Sequence, residues 1–320
     1  MRPQNEILVC EKRKGVSPEG YRRIDVTSHA TDIFCTCSPF LAGPVSLYGD
    51  YVAKNVENAW QYAKVYPQFV GADGTPTEEY FEWAQKGWNS DIATRYPMGH
   101  KTPEFSWWDG QPLDYIESRK QIYIPLYSAA VIRTKGFQEL KRLYEAGEKL
   151  CLIDYDAYDF KAIGYTMDDI INDSSRILGH CFVLKGLLEG SIPSPAPFRV
   201  IIAGGRDFED YELLKQFADS MLRKKLNRSI EIVCGEARGA DSLGKQYANE
   251  RGYAVKSFPA QWNTLGKRAG MIRNQLMADY ADACIAFWDG KSHGTKNMID
   301  LCKQKNIPIR VKKYSKKEDT

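Results

Sequence analysis

The second part of this chain alternates between apolar segments that predict strands and amphipathic segments that predict helices, and this alternation restricts the fold more than any other feature. The predicted strands are mostly apolar and cover 199–203, 230–234, 253–258, 284–288 and 308–311. The predicted helices lie between them, at 211–226, 240–251, 267–280 and 295–305. This pattern is typical of a parallel sheet with helices on both faces, so we expect an α/β domain over 198–320. Periodicity does not give the strand order.

A proline-rich segment, 191–197 (SIPSPAP), precedes this domain. Its prolines can neither continue a helix nor form a central strand, so it predicts a short, stiff linker. In the preceding domain, 1–190, helical spacing predicts segments that are wholly or partly helical at 51–66, 78–88, 113–133, 137–146 and 167–188. Short strands are expected at 7–10, 24–26 and 150–153. We therefore expect a mainly α-helical α+β domain.

The composition excludes several classes of protein. Hydrophobic residues make up 43% and charged residues 27%, which is typical of globular domains. The net charge is only +3, so a role in bulk nucleic-acid binding is not expected, although a nucleic-acid-modifying role stays open as a third possibility.

No apolar run approaches the ~20 residues of a membrane span, and the N-terminus predicts no signal peptide. We expect a cytoplasmic protein without membrane contact. Homo-oligomerisation stays open.

The eight cysteines give no metal-binding spacing. None forms a CxxC pair, and the close pair Cys35 and Cys37 does not have the spacing of a zinc knuckle. Cys234 and Cys284 lie inside apolar predicted strands, where a buried thiol is expected. We predict no metal site and no cofactor, and the default is a reducing compartment.

Three glycine-bearing turns follow predicted strands of the second domain, at 204–207, 235–241 and 289–296. The carboxyl ends of parallel strands share one edge, where open α/β sheets bind ligands. Glycine lets a phosphate approach the backbone, and the next helix offers free N–H groups. Arg206, Arg238 and Lys291 lie in or beside these turns and could clamp a phosphate. The alternative is that the glycines only close tight turns. No turn matches a P-loop or the GxGxxG fingerprint.

The segments AGGRDFED, CGEARGADSLGKQYANERG, FPAQW, GKRAGMIRNQLM and AFWDGKSHGTKNMI resemble, in order and spacing, the SLOG superfamily and its YspA-like branch. The resemblance covers 198–313 and implies a Rossmann-like domain for a nucleotide or nucleotide-derived ligand. Relatives include phosphoribohydrolases that cut an N-glycosidic bond and sensors of NAD-derived signals. The positions that match ligand-facing residues are Gly204, Gly205, Arg206, Gly235, Arg238, Gly239, Asp241, Arg273, Asn274, Ser292, Gly294 and Thr295.

One position departs from the hydrolase branch. That branch has a carboxylate three residues after the threonine that matches Thr295, and this chain has Met298 there. The resemblance therefore implies ligand binding by this domain without hydrolysis by that mechanism. His293 lies in the last turn, where it could donate to a phosphate or have no role.

A polar stripe marks the first domain. Glu57, Gln61 and Lys64 have the spacing that places them on one side of the predicted helix 51–66. They could form a solvated face or line a site. Two features favour a site: many aromatic residues suited to stacking on a base, and an acidic run, 154–159 (DYDAYD), directly after a predicted strand. The acidic run could equally be a polar loop.

The segments ENAWQYAK, ESRKQIYIPLY, LYEAG, DYDAY and RILGHCFVLKGLL are similar in order to the NADAR family, over roughly 50–190. NADAR proteins are α-helical glycosidases that act on ribosyl-nucleotide derivatives, including ADP-ribosylated bases. The resemblance implies catalytic roles for Glu57, Gln61, Lys64 and Asp156, with Tyr158 nearby. No WG pair follows the acidic run, and the segment with Trp107 and Trp108 has no counterpart.

Two functions are consistent with these patterns. In the first, the chain is an N-glycosidic hydrolase or transferase that acts on a nucleotide or on an ADP-ribose- or NAD-derived ligand. Glu57 or Asp156 would serve as acid or base, and Lys64 would hold a phosphate or hydroxyl. In the alternative, the chain is a non-catalytic sensor or sequestering protein for a nucleotide-derived signal.

Overall fold

The computed structural model describes residues 6–14 and 18–315. The chain divides into two compact units, residues 1–195 and 196–320, and the division falls inside the proline-rich segment. No helix within the described residues is long and apolar enough to cross a membrane.

The first unit contains short strands and helices in alternation. Its strands are β1 (Ile7–Glu11), β2 (Arg22–Asp25), β3 (Val45–Ser46), β4 (Val52–Ala53), β5 (Lys64–Val65), β6 (Phe105–Trp108), β7 (Gln111–Leu113) and β8 (Leu150–Asp154). Its helices are α1 (Val56–Gln61), α2 (Glu78–Trp88), α3 (Tyr115–Ser118), α4 (Ile124–Val131), α5 (Lys135–Glu145), α6 (Met167–Asn172) and α7 (His180–Glu189). A π-helical turn, Arg119–Tyr123, joins α3 to α4. The expected mixture of helix and strand is confirmed.

The sheet that carries the acidic run is parallel, with β8 between β1 and β2. All five residues of β8 (LCLID) are buried, as expected for a central strand covered on both faces. Helix α7 packs against β1 and β8. Asp154 is the last residue of β8, so the acidic run leaves the sheet at the carboxyl end of its central strand.

The helix predicted over 51–66 was wrong in its length, because only Val56–Gln61 is helical. Asn55 begins the helix, since its side chain accepts a hydrogen bond from the backbone N–H of Asn58 at 2.8 Å. The flanking residues form β4 and β5, and β5 pairs antiparallel with β6. The apolar residues on either side of α1 are buried whether the backbone is helical or extended, so their spacing could not locate the helix ends.

The helix predicted over 167–188 is two helices, α6 and α7. At Asp173 the backbone leaves the helical region, with φ −79° and ψ 98°. The buried Arg119 guanidinium donates to the carbonyl oxygens of Ile171 and Asp173, at 3.1 and 2.8 Å, and also to that of Arg176. A side chain distant in sequence therefore satisfies the carbonyl groups that the interrupted helix leaves free.

The second unit is a five-stranded parallel sheet with helices, as predicted. Its strands are β9 (Pro197–Gly204), β10 (Ser229–Cys234), β11 (Ala254–Ser257), β12 (Ala283–Trp288) and β13 (Ile309–Lys313). Its helices are α8 (Tyr211–Leu222), α9 (Ala240–Arg251), α10 (Trp262–Leu265), α11 (Ala269–Tyr280) and α12 (His293–Gln304). The strand order is β11-β10-β9-β12-β13. The order reverses direction at β9, so the turns after β9, β10 and β12 meet at one edge.

The cysteines are mostly buried thiols. Cys234 and Cys284 are buried and free, as expected for cysteines in central strands. Cys10 and Cys151 form a disulfide between β1 and β8. Their Cα atoms lie 6.4 Å apart because the two strands are neighbours. Among the described residues, no three His, Cys, Asp or Glu side chains are grouped so that they could hold a metal ion.

Candidate functional site

A cavity of about 410 Å³ in the first unit, here called the first cavity, is lined by the four residues predicted to be catalytic: Glu57, Gln61, Lys64 and Asp156. Glu57 and Gln61 come from α1, Lys64 comes from β5, and Asp156 follows the end of β8. The polar stripe is therefore not a solvated face, because Glu57 is only 5% exposed. Trp60, Arg95, Tyr115, Tyr123, Asp154 and His180 also line this cavity.

The stripe is joined by hydrogen bonds even though Lys64 lies beyond the helix. The Gln61 amide group donates to Glu57 Oε1 at 2.9 Å, and Lys64 Nζ donates to Gln61 Oε1 at 2.7 Å. Burial raises the pKa of Glu57, although the Gln61 amide and nearby cations oppose the shift. Burial also lowers the pKa of Lys64 to about 8. Both side chains can therefore exchange a proton closer to neutral pH than in water.

Asp156 is held by a cation that the sequence did not identify. Arg95 Nη2 lies 3.1 Å from Asp156 Oδ2, and both side chains are partly exposed to the cavity. Asn58 positions the loop that carries Arg95. Its amide group donates to the carbonyl oxygen of Ile92 at 2.9 Å and accepts from the backbone N–H of Thr94 at 2.8 Å. The loop is irregular, so no periodicity marked Arg95 as a functional residue.

In the wall of the cavity, Asp154 and His180 form a buried ion pair. His180 Nδ1 lies 3.0 Å from Asp154 Oδ2, and Nε2 lies 2.8 Å from the carbonyl oxygen of Val26. Burial by itself would lower the pKa of His180, but the Asp154 carboxylate reverses this and raises it. Burial would raise the pKa of Asp154, but the His180 charge and the Cys181 N–H lower it to about 2. An imidazolium that donates from both nitrogens satisfies both partners.

This ion pair connects the ends of three elements. Asp154 ends β8, Val26 follows β2 and His180 begins α7. A Cβ on Gly179 would lie 2.9 Å from Asp154 Oδ2, so a residue without a side chain leaves room for the carboxylate. The sequence analysis named the acidic run and the segment RILGHCF, but it gave neither Asp154 nor His180 a role. The residues are 26 positions apart along the chain, and only the fold brings them together.

Aromatic rings form one wall of the first cavity. The Trp60 ring lies 5.4 Å from that of Tyr123 and 6.2 Å from that of Tyr115, measured between centroids. Lys64 Nζ lies 5.1 Å from the Trp60 ring centroid. The cavity lining thus combines the carboxyl groups of Glu57, Asp154 and Asp156 with cations and aromatic faces, which can accommodate a ligand with an aromatic base and anionic groups.

The second unit has a cavity of about 750 Å³ at the carboxyl edge of its sheet, here called the edge cavity. Most of the predicted nucleotide-binding residues line it: Gly204, Gly205, Arg206, Arg238, Asp241, Arg273, Asn274, Ser292, Gly294 and Thr295. Gly235 lines an adjoining cavity of about 520 Å³, which Arg206 and Arg238 also border. Gly239 contacts the first turn, since a Cβ there would overlap the carbonyl oxygen of Gly205.

Several of these residues bind one another. Arg273 Nη1 donates to the carbonyl oxygen of Gly235 and lies 3.3 Å from Asp241 Oδ2. Burial raises the pKa of Asp241, and the Arg273 charge opposes that shift. A Cβ on Gly235 would overlap the guanidinium of Arg273. Asn274 donates to the carbonyl oxygen of Gly294 at 3.1 Å. These contacts hold the turns together. Gly235 has no side chain, which leaves room for the guanidinium of Arg273.

The start of α12 is capped from within. Ser292 Oγ accepts from the backbone N–H and the hydroxyl of Thr295, at 3.4 and 3.0 Å. The carboxylate of Asp289 accepts from the backbone N–H groups of Lys291 and Ser292, at 2.9 and 2.7 Å. At Gly294 an added Cβ would meet nothing within 4 Å, so the backbone is open to the edge cavity there.

Exposed cations surround the edge cavity. Arg206, Arg238 and Lys291 are exposed, as is Lys267, which the sequence analysis did not single out. His293, the first residue of α12, is also exposed and lines the cavity. Met298 is 1% exposed and lies in the wall where the hydrolase branch has a carboxylate.

Comparison with known proteins gives a different family match for each of the two units. A family model described as a family of unknown function (DUF6939) matches residues 16–163. This match neither supports nor contradicts the resemblance to NADAR glycosidases, which stays a prediction.

The YspA, cpYpsA-related SLOG family model matches residues 198–264. The chain is also similar to the Gene 61 protein of Mycobacterium phage D29, with 32% identity over 118 residues, which are 35% of this chain and 93% of that protein. The SLOG match indicates nucleotide-related binding or modification, in agreement with a parallel sheet whose glycine turns meet at one edge. Through its second unit, the chain therefore belongs to the YspA, cpYpsA-related SLOG family.

Proposed function

We propose that the first cavity binds a nucleotide or an ADP-ribose- or NAD-derived ligand and that the protein hydrolyses or transfers at its N-glycosidic bond. The observation that carries this proposal is the buried Glu57, whose pKa is raised by burial beside a wall of aromatic rings. A carboxyl group that stays protonated to higher pH can act as a general acid for a leaving base.

The other groups that line the first cavity have separate roles in this reaction. The rings of Trp60 and Tyr123 are suited to stack on the base, and Lys64 and Arg95 to neutralise phosphate oxygens. In hydrolysis, the bond between C1′ and the base nitrogen breaks, and its electron pair leaves with the base. Glu57 supplies a proton to the base, and a water attacks C1′ while Asp156 accepts one of its protons. Transfer would follow the same path with an alcohol or amine in place of water.

The test is incubation of the full-length protein with NAD, ADP-ribose, nucleoside monophosphates and cyclic ADP-ribose, followed by chromatography of the released base. We expect base release by the wild type and at least a ~100-fold slower rate for Glu57→Gln, because general acid–base groups contribute about that factor or more. Glutamine keeps the shape and can still contact Gln61. Glu82→Gln, at an exposed position on α2, is the matched control and should react like the wild type.

The alternative function is a sensor or sequestering protein. It is favoured for the second unit by two observations: Met298 replaces the carboxylate of the hydrolase branch, and the buried Asp241 is already paired with Arg273. Tight binding with intact ligand recovered from every member of the panel would support this alternative. Base release that is equal in wild type and Glu57→Gln would remove Glu57 from the chemistry.

A further inference from the structure

Trp262 is an exposed aromatic residue that borders both cavities of the second unit. It begins α10 and ends the segment FPAQW, which the sequence analysis quoted without giving Trp262 a role. Nearly half of its surface, 49%, is exposed. Met271 also lines the edge cavity and is 59% exposed.

The Trp262 ring is held by two neighbours. A Cβ on Gly270 would lie 3.3 Å from Trp262 Cη2, so the absence of a side chain lets the ring approach α11 closely. The guanidinium of Arg206 lies 5.8 Å from the Trp262 ring centroid, within the range of a cation–π contact. The ring is therefore held in the cavity wall with about half of its surface exposed.

The lining of the edge cavity contains both apolar and cationic groups, together with the carboxylates of Asp207, Glu209 and Asp289. Trp262 and Met271 supply large apolar groups, and Lys291 with the open backbone at Gly294 supplies donors. A nucleotide likewise combines an aromatic base with a phosphate. A phosphate alone would leave the aromatic surface unused.

We propose that Trp262 is the platform on which the base of a nucleotide stacks in the edge cavity, with the phosphate at the start of α12. The proposal rests on nucleotide binding by the second unit and adds to it the orientation of the ligand. It also predicts tolerance of different bases, because every base offers an aromatic face and stacking reads no hydrogen-bonding pattern.

The experiment compares AMP with ribose 5-phosphate, which lacks a base, by calorimetry on the full-length protein. Because the first cavity is also proposed to bind nucleotides, the edge cavity is assigned to the binding component that Arg238→Ala weakens. Trp262→Ala should weaken this component for AMP about tenfold or more, the usual scale of aromatic stacking, and leave ribose 5-phosphate unchanged. Trp262→Phe should restore most of the AMP affinity. Leu276→Ala, at a 52% exposed residue of α11, is the matched control and should change neither ligand.

Three results would overturn the platform. If Trp262→Ala leaves AMP affinity unchanged while Arg238→Ala lowers it, the second unit binds nucleotides but the base does not stack on Trp262. The exposed ring would then be available to a protein partner. If Trp262→Ala weakens both ligands equally, the ring acts on the phosphate side or on the fold. If the wild type has no component sensitive to Arg238, nucleotide binding by the second unit falls and the platform falls with it.

Discussion

The proposed proton donor of the first cavity and the predicted phosphate-binding arginines of the edge cavity differ in their exposure to solvent. In the first cavity, Glu57 is buried and its pKa is raised, and the pKa of Lys64 is lowered to about 8. At the edge cavity, Arg206 and Arg238 are exposed. Desolvation changes proton affinity, whereas a solvated guanidinium keeps its charge and can meet an anion. The first unit is thus better suited to proton transfer, and the second to recognition.

Each unit also has a buried ion pair, and the two pairs differ in whether predicted site residues form them. In the first unit, Asp154 and His180 connect β8 to α7 in the wall of the first cavity. In the second unit, Arg273 and Asp241 connect α11 to α9 in the wall of the edge cavity. The first pair includes none of the four predicted catalytic residues, whereas both members of the second pair are predicted nucleotide-binding residues.

The largest expected effect is on the stability of the first unit. Asp154→Asn keeps the size of the side chain but leaves the buried His180 without its carboxylate, which typically costs about 3–5 kcal/mol. Urea unfolding of the full chain, followed by circular dichroism, should show this loss. Asp91→Asn is the control, because its pair with Lys54 is on the surface and contributes at most about 1 kcal/mol. Equal unfolding curves for Asp154→Asn and the wild type would contradict the role of the pair.

The same substitution has a pH signature. The folded pKa of Asp154, about 2, lies below its unfolded value of about 4, so its contribution is present above pH ~4 and lost as the pH falls through 2. The pKa of His180 is raised, so its contribution is present below its unfolded pKa of about 6.5 and lost as the pH rises through the folded pKa. The cost of Asp154→Asn should therefore be greatest between pH ~4 and ~6.5.

Arg238→Ala should weaken nucleotide binding by about 1.5–3 kcal/mol, the usual range for a hydrogen bond to a charged group. Because Arg238 is exposed, the free energy of unfolding should change little. Calorimetry with AMP measures the first effect and urea unfolding the second. Lys303→Ala, at an exposed position near the other end of α12, should bind like the wild type. Unchanged affinity in Arg238→Ala would remove the second turn from the site.

A smaller effect concerns the pH dependence of substrate binding in the first cavity. Lys64 is charged below its pKa of about 8, so its attraction for a phosphate should fade as the pH rises through that value. KM for a phosphorylated substrate should rise by at most about tenfold from pH 7 to pH 9. Lys64→Arg stays charged and should flatten this rise. A rise of equal size in both proteins would assign the titration to another group.

The last prediction is that separating the second unit from the first changes neither its fold nor its affinity for AMP. A fragment of residues 196–320 should fold alone and bind AMP as the edge cavity does in the full chain, because five strands with their helices can bury a core at this size. Circular dichroism tests the fold and calorimetry the affinity. An unfolded fragment would show that the division between the units is not a boundary of stability.

The second unit was the more predictable of the two. Each predicted strand and helix is present, with ends that moved by a few residues, because the central strands β9, β10 and β12 are mostly apolar and contrast with amphipathic helices. The meeting of the three glycine-bearing turns followed from the same pattern, since parallel strands place their following turns at one edge. The side-chain contacts within that edge could not be predicted from this pattern. Nothing in the spacing indicated that Arg273 fills the space beside Gly235.

The first unit was less predictable because several of its helices are short, and α1, α4 and α7 are buried on more than one face. Periodicity identified the segment of Glu57 but extended its helix through Lys64, which lies on a strand. Arg95 and His180 reach the first cavity from a loop and from the start of α7, and neither position has a periodic pattern.

The sequence by itself determined the class of the second unit, the proline-rich division and the residue types available for chemistry, because these depend on local pattern and composition. The tertiary structure decided which groups are desolvated and which are paired. Burial of Glu57, the pairing of Asp154 with His180 and the use of Asp241 by Arg273 depend on contacts between residues far apart in the chain. A side chain's pKa and partners depend on what surrounds it in space, and spacing along the chain does not encode those surroundings.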